Sequence, residues 1–193
     1  MATAQTTWMN VPGDSRQHYI PAMEWSGTAV MLQQLNRKQN EAKVFLCDAA
    51  NGETKMIYTE KNNSWIDVEP TEDNGWRWIN KGREFLWISE KDGWRHLYRI
   101  SANGEKETIV TKGDYDMISL KAVDEKSGYV YFMASPSNAT QQYLYRTLLN
   151  GKGKLELLSP ANEQGTHNYT LSPTGQFAGS RSEERRVGKE CRS

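Results

Sequence analysis

The chain has 193 residues with 24 basic and 24 acidic side chains, so it carries no net charge and lacks the one-signed field that a nucleic-acid surface needs. No run of about eighteen apolar residues occurs, which excludes a transmembrane helix. Two cysteines, Cys47 within an apolar run and Cys191 in the tail, support neither a disulfide framework nor a zinc site, and no cofactor or metal is expected.

In chain order, Ala2 to Met9 aligns with Ala50 to Ile57, which places Met1 inside a repeating unit rather than before one. The repeat has two markers. Ser26-Gly27, Lys81-Gly82 and Ser127-Gly128 each precede, by 21 to 24 residues, the pairs Asn51-Gly52, Asn103-Gly104 and Asn150-Gly151. Each Asn-Gly follows an apolar or aromatic run: Val44-Phe45-Leu46, His96-Leu97-Tyr98 and Tyr143-Leu144-Tyr145. Asn-Gly between strand-like runs signals a hairpin, and a type I′ turn is expected because both residues tolerate positive φ. With the β-rich segments 83–89 and 129–134 between the markers, each unit reads as four short antiparallel strands in about fifty residues, the signature of a β-propeller blade. The expected architecture is all-β: three complete blades with partial blades at both ends. His167 to Leu171 and the turn Ser172-Pro173-Thr174-Gly175 open the last of these.

Within this register, Leu35-Asn36-Arg37-Lys38-Gln39-Asn40, the run from Ser89 to Tyr98, the run from Ser135 to Tyr145 and Tyr19-Ile20-Pro21-Ala22-Met23-Glu24-Trp25 closely resemble the N-terminal β-propeller of dipeptidyl peptidase IV, in the prolyl oligopeptidase family of serine peptidases, bacterial type. The resemblance runs from about Trp8 to Phe177. It implies an eight-bladed propeller capping an α/β-hydrolase domain that releases N-terminal X-Pro or X-Ala dipeptides with a Ser-His-Asp triad. The partners so implied are the hydrolase domain of the parent chain, peptide substrates and a homodimer of the parent, which is expected to be exported or periplasmic.

The chemistry itself is not expected here. No G-x-S-x-G elbow occurs. His18, His96 and His167 suit a repeat position better than a catalytic base, and the family's amine-anchoring Glu pair belongs upstream of Met1. This piece alone is expected to be inactive, as part of a substrate-gating shell. The other reading is a non-catalytic propeller used as a protein-binding platform. One segment, Trp65-Ile66-Asp67-Val68-Glu69-Pro70, falls where the resemblance places a loop beside the substrate cavity, so Asp67 and Glu69 are the candidate rim residues; a solvated loop charge is the alternative for each. Asp92-Gly93 is expected to turn a hairpin, Trp94 and Tyr98 to pack between blades, and the seven tryptophans to form inter-blade core.

Residues 181–193 back-translate, codon for codon, to a sequence that resembles a common short-read sequencing adapter; the alternative is a basic, disordered tail. The expected division is therefore a propeller part, 1–180, and a tail, 181–193, with Ser180 in the second strand of an unfinished blade. Without the tail the chain holds 19 basic and 21 acidic residues, a slightly acidic balance.

Overall fold

The computed structural model describes residues 6–68, 76–160, 162 and 165–182. Strands β1 (His18–Ser26), β2 (Ala29–Asn36), β3 (Glu41–Asp48) and β4 (Thr54–Lys61) form one antiparallel meander, with neighbours in chain order. A second meander comprises β5 (Arg77–Ile79), β6 (Glu84–Ser89), β7 (His96–Ser101) and β8 (Glu107–Ile109). A third comprises β9 (Met117–Asp124), β10 (Tyr129–Ala134), β11 (Tyr143–Leu148) and β12 (Glu156–Leu157). Strands β13 (His167–Leu171) and β14 (Ala178–Ser182) pair as a two-stranded start of a fourth. The three four-stranded blades and the C-terminal partial one are those the repeat predicts; of the partial blade expected at the N-terminus, residues 1–5 lie outside the described residues and 6–14 carry no strand. Ser180 lies in β14, as expected, and that strand pairs two residues further, Arg181 with Asn168 and Ser182 with His167.

The markers fall at one end of each blade. Gly27, Gly82 and Gly128 turn the first strand into the second, and Gly52, Gly104 and Gly151 turn the third into the fourth, all with positive φ. The type I′ expectation needs correction. Asn51, Asn103 and Asn150 are not left-handed; only the glycine is. Each asparagine instead turns its side chain back on the backbone, its Oδ1 accepting from the amide two residues on: Glu53 at 2.8 Å, Glu105 at 3.3 Å and Lys152 at 2.9 Å. This local bond lets asparagine hold a turn without positive φ. The two turns of each blade are joined by a backbone bond, Ala49 N to Thr28 O, Ala102 N to Arg83 O and Leu149 N to Gly128 O.

The chain divides into two compact units, Met1–Ile109 and Val110–Ser193. In the first, alternation along β2, β3, β6 and β7 buries Met31, Leu35, Ala42, Val44 and Ile57 of one blade against Phe85, Trp87, Tyr98 and Ile100 of the next. The opposite face of the first blade carries Leu32, Phe45 and Cys47, covered by Met9 and Val11 of the N-terminal segment. Cross-strand pairing runs Met23, Leu32, Phe45 and Met56 in one row, and its two ends are exposed. Cys47 behaves as a small hydrophobe, and burial pushes its thiol pKa up. In the second unit, Ala122, Tyr131, Met133 and Leu144 of the third blade pack on Tyr169 of β13.

The tryptophans divide differently from expectation. Trp76, Trp78 and Trp87 join the inter-blade core, while Trp8, Trp25, Trp65 and Trp94 are exposed. Trp25 lies on β1, in a pairing row on the partly covered face of the first blade, and Trp65 and Trp94 lie on connections. Tyr98 packs between blades as expected; Trp94 does not.

Candidate functional site

A meander with short turns at one end must put its remaining connections at the other. In the first unit these are the β2–β3 hairpin, the β4–β5 connection and the β6–β7 hairpin, and each carries part of a motif singled out above. The β2–β3 tip is held by Asn36, whose Oδ1 accepts from the amides of Asn40 at 2.9 Å and Glu41 at 3.0 Å, while its Nδ2 donates to Asn40 Oδ1 at 2.8 Å. Gln39 takes φ 55°, a left-handed conformation that costs a side-chain-bearing residue about 1 kcal/mol. In that conformation its carbonyl accepts the amide of Ile66 at 2.7 Å, and the Asn40 carbonyl accepts the amide of Asn62 at 3.0 Å. The Leu-Asn-Arg-x-Gln-Asn string is thus a mount for the start of the β4–β5 connection. Ile66 anchors the same connection from below, buried in the inter-blade core.

Asn36→Ala removes three bonds of that mount. The expected result is about tenfold faster hydrogen exchange at the Asn62 and Ile66 amides, with the amides at the Asn51-Gly52 end unchanged, since a net hydrogen bond is worth about 1 kcal/mol. Equal exchange in both proteins would remove the mount from the account.

Asp67 is exposed on this connection, between buried Ile66 and half-buried Val68. Glu69 lies outside the described residues. Asp67 borders a narrow cleft lined by Gln33, Ile66, Val68, Trp76, Trp87, Ile88 and Arg95. The cleft continues past Glu60, Asn62, Trp65, Ser89 and Glu90. Glu60, 5 % exposed, accepts from Trp87 Nε1 at 2.5 Å and Ser89 Oγ at 2.6 Å. Sequence reasoning missed Gln33, Glu60 and Arg95. Each sits in a strand or hairpin where polarity alone reads as solvent-facing, and only the packing of β4 on Trp87 and Ser89 of the second blade buries Glu60.

A second link crosses the same blades. Lys91 Nζ lies 2.5 Å from Glu107 Oε1, donates to Tyr58 Oη at 3.0 Å and stands 4.1 Å from the centre of the Tyr98 ring, while Tyr58 Oη donates to Glu107 Oε2 at 2.9 Å. Burial, then the Glu107 carboxylate, pushes the Tyr58 phenol above its ordinary range; burial and then Asp92 do the same to Tyr98. In the second unit, burial and then Tyr145 push Tyr115 up to about 12. A raised phenol stays protonated in the folded chain at pH values where the unfolded chain has already ionised. Stability is therefore fully present below about pH 10 and falls above it, by up to about 1.4 kcal/mol per pH unit for each such tyrosine. Tyrosinate absorbance at 295 nm followed beside far-ultraviolet circular dichroism should show these phenols ionising together with unfolding. Ionisation near pH 10 in an intact fold would contradict the packing.

The three histidines do not share one position. His18 and His167 open first strands of their blades, whereas His96 opens the third strand of the second blade. His96 and His167 are buried, and the His167 ring lies between Tyr143 and Tyr169, with ring centres 5.3 and 6.2 Å away.

A family model described as the dipeptidyl peptidase IV (DPP IV) N-terminal region matches residues 1–187. The chain belongs to this family. Dipeptidyl peptidase 4 of Arthroderma otae is 30 % identical over 153 residues, covering 77 % of this chain and 19 % of its own length. A probable dipeptidyl-aminopeptidase B of Emericella nidulans is 30 % identical over 179 residues, covering 86 % and 19 %. The crystal structure of Porphyromonas gingivalis dipeptidyl peptidase 4 superposes with a TM-score of 0.77 at 24 % identity, covering 89 % of this chain and 24 % of that one, which shows the shared propeller fold. The chain spans under a fifth of the length of these curated relatives. As a DPP IV N-terminal region, it is all-β over its described residues, apart from two short 3-10 turns, and no described helix is long and apolar enough to cross a membrane.

Proposed function

We propose that the chain forms part of the substrate-gating shell of a serine exopeptidase that releases X-Pro or X-Ala dipeptides from peptide N-termini. The observation that carries this reading is the DPP IV family match, joined to the mounting of the β4–β5 connection at the blade end opposite the tight turns. Relatives that share this region are named dipeptidyl peptidases. In this reading the triad and its α/β-hydrolase domain are supplied by the parent chain, and Asp67 lies on the rim past which substrate enters.

The rim reading is tested in the parent enzyme with Asp67→Lys. An exposed charge acts through screened Coulomb interaction, about 1 kcal/mol at short range. The expected result is a several-fold rise in KM for a Lys-Pro chromophore, a matching fall for Glu-Pro, and unchanged kcat for both. Identical KM values for the two substrates in wild type and variant would remove Asp67 from the rim.

A further inference from the structure

The tip of the β2–β3 hairpin lies outside the connection that carries Asp67, yet it fixes where that residue stands. Two backbone bonds cross between them, from the Ile66 amide to Gln39 O at 2.7 Å and from the Asn62 amide to Asn40 O at 3.0 Å. Ile66 is held a second time by its side chain, buried in the inter-blade core, and Val68 packs on the same core. With Ile66 and Val68 turned inward, Asp67 between them stands exposed. The bond to Ile66 uses the Gln39 main-chain carbonyl and not its side chain, and that carbonyl belongs to a left-handed residue, φ 55°. Such a conformation is open to glycine, is adopted by glutamine at a modest cost, and is closed to a β-branched residue. Asn36 clamps it, since its Oδ1 accepts from the amides of Asn40 and Glu41 and its Nδ2 donates to Asn40 Oδ1.

We propose that Gln39 is a positioning residue for substrate specificity. Its left-handed backbone, clamped by Asn36, sets the place of Asp67 and so the preference of the rim for a cationic over an anionic residue at the substrate N-terminus. The attraction between an exposed carboxylate and a substrate charge falls with distance and is screened within about 8 Å, so a rim residue released from its mount loses its discrimination while the chemistry is untouched. The inference rests on the rim reading of Asp67.

The test compares Gln39→Val with Gln39→Gly. In the 193-residue chain, hydrogen exchange at the Ile66 amide is expected to be at least about tenfold faster in Gln39→Val and unchanged in Gln39→Gly. In the parent enzyme, the ratio of KM for a Glu-Pro chromophore to KM for a Lys-Pro chromophore is expected to fall several-fold in Gln39→Val, to the level of Asp67→Asn, and to hold in Gln39→Gly, with kcat unchanged throughout. Asn36→Ala, which removes the clamp and leaves the tip free to adopt the same conformation, is expected to move the ratio in the same direction. Because the effect runs through Asp67, Gln39→Val added to Asp67→Asn is expected to change the ratio no further. A ratio that Asp67→Asn lowers and Gln39→Val leaves alone would overturn the proposal and keep the rim reading. An equal fall in Gln39→Gly, an equal fall on the Asp67→Asn background, or a loss of kcat for both substrates alike would also overturn it. A ratio unmoved by Asp67→Asn would remove the rim reading and this proposal together, leaving only the exchange result.

Discussion

Gly104→Ala is expected to destabilise the chain by about 2–4 kcal/mol, against about 1 kcal/mol for Gly128→Ala. Both glycines are left-handed, with φ 76° and 74°, so the conformational term is the same for each, about 1 kcal/mol for an added Cβ. Their surroundings differ. A Cβ on Gly104 would stand 1.7 Å from the carbonyl oxygen of Ile57 in the preceding blade, whereas nothing lies within 4 Å of one on Gly128. Ile57 O belongs to strand backbone and cannot swing aside, so the blades must part, at an overpacking cost of about 1–3 kcal/mol on top of the conformational term. Gly52 is crowded likewise, since a Cβ there would stand 2.0 Å from Trp8 O of the N-terminal segment. The glycine of Asn103-Gly104 therefore serves contact between successive blades as well as the turn. Urea denaturation midpoints of the two variants decide the matter, and equal losses would contradict the inter-blade contact.

This contact also shows what was legible in the sequence and what was not. The blade repeat was readable because each turn needs a residue that tolerates positive φ, and glycine marks it at a fixed spacing. The turn type was not, because the Asn51 side chain competes for the backbone in a way that composition does not reveal. Tyr98 was placed correctly, because alternation along β7 turns it to the buried face. Trp94 and Trp65 were misplaced: a large apolar residue on a connection follows the path of the loop rather than the period of a strand. The family motif Leu35 to Asn40 was recognisable as a string, but its work depends on Gln39 O meeting Ile66 N, a bond between segments that no local pattern encodes. Asp67 reads as a loop residue in the sequence and lies exposed on the β4–β5 connection, while Gln33 and Glu60 of the neighbouring cleft were invisible, since burial of a polar strand residue depends on which blade face covers it.

The second large expected effect is all-or-none. If this region is shell and the chemistry is supplied elsewhere in the parent, turnover must vanish without the hydrolase domain rather than merely decline. A Ser-His-Asp triad acts as a unit, and loss of any member removes several orders of magnitude of rate. Within this chain no serine sits on a G-x-S-x-G elbow; buried His167 packs against the Tyr143 and Tyr169 rings, and buried His96 has its Nε2 3.7 Å from Asp92 Oδ2. In that reading, binding by this region does not substitute for these groups, because binding accelerates a reaction only where it is stronger in the transition state than in the ground state.

The most direct measurement is chromophore release from a Gly-Pro conjugate by the parent polypeptide, beside the 193-residue chain at equal concentration. The account predicts steady turnover by the parent and none above the buffer blank by the chain. Turnover by the chain alone, or a parent that folds and leaves the Gly-Pro conjugate intact, would contradict it.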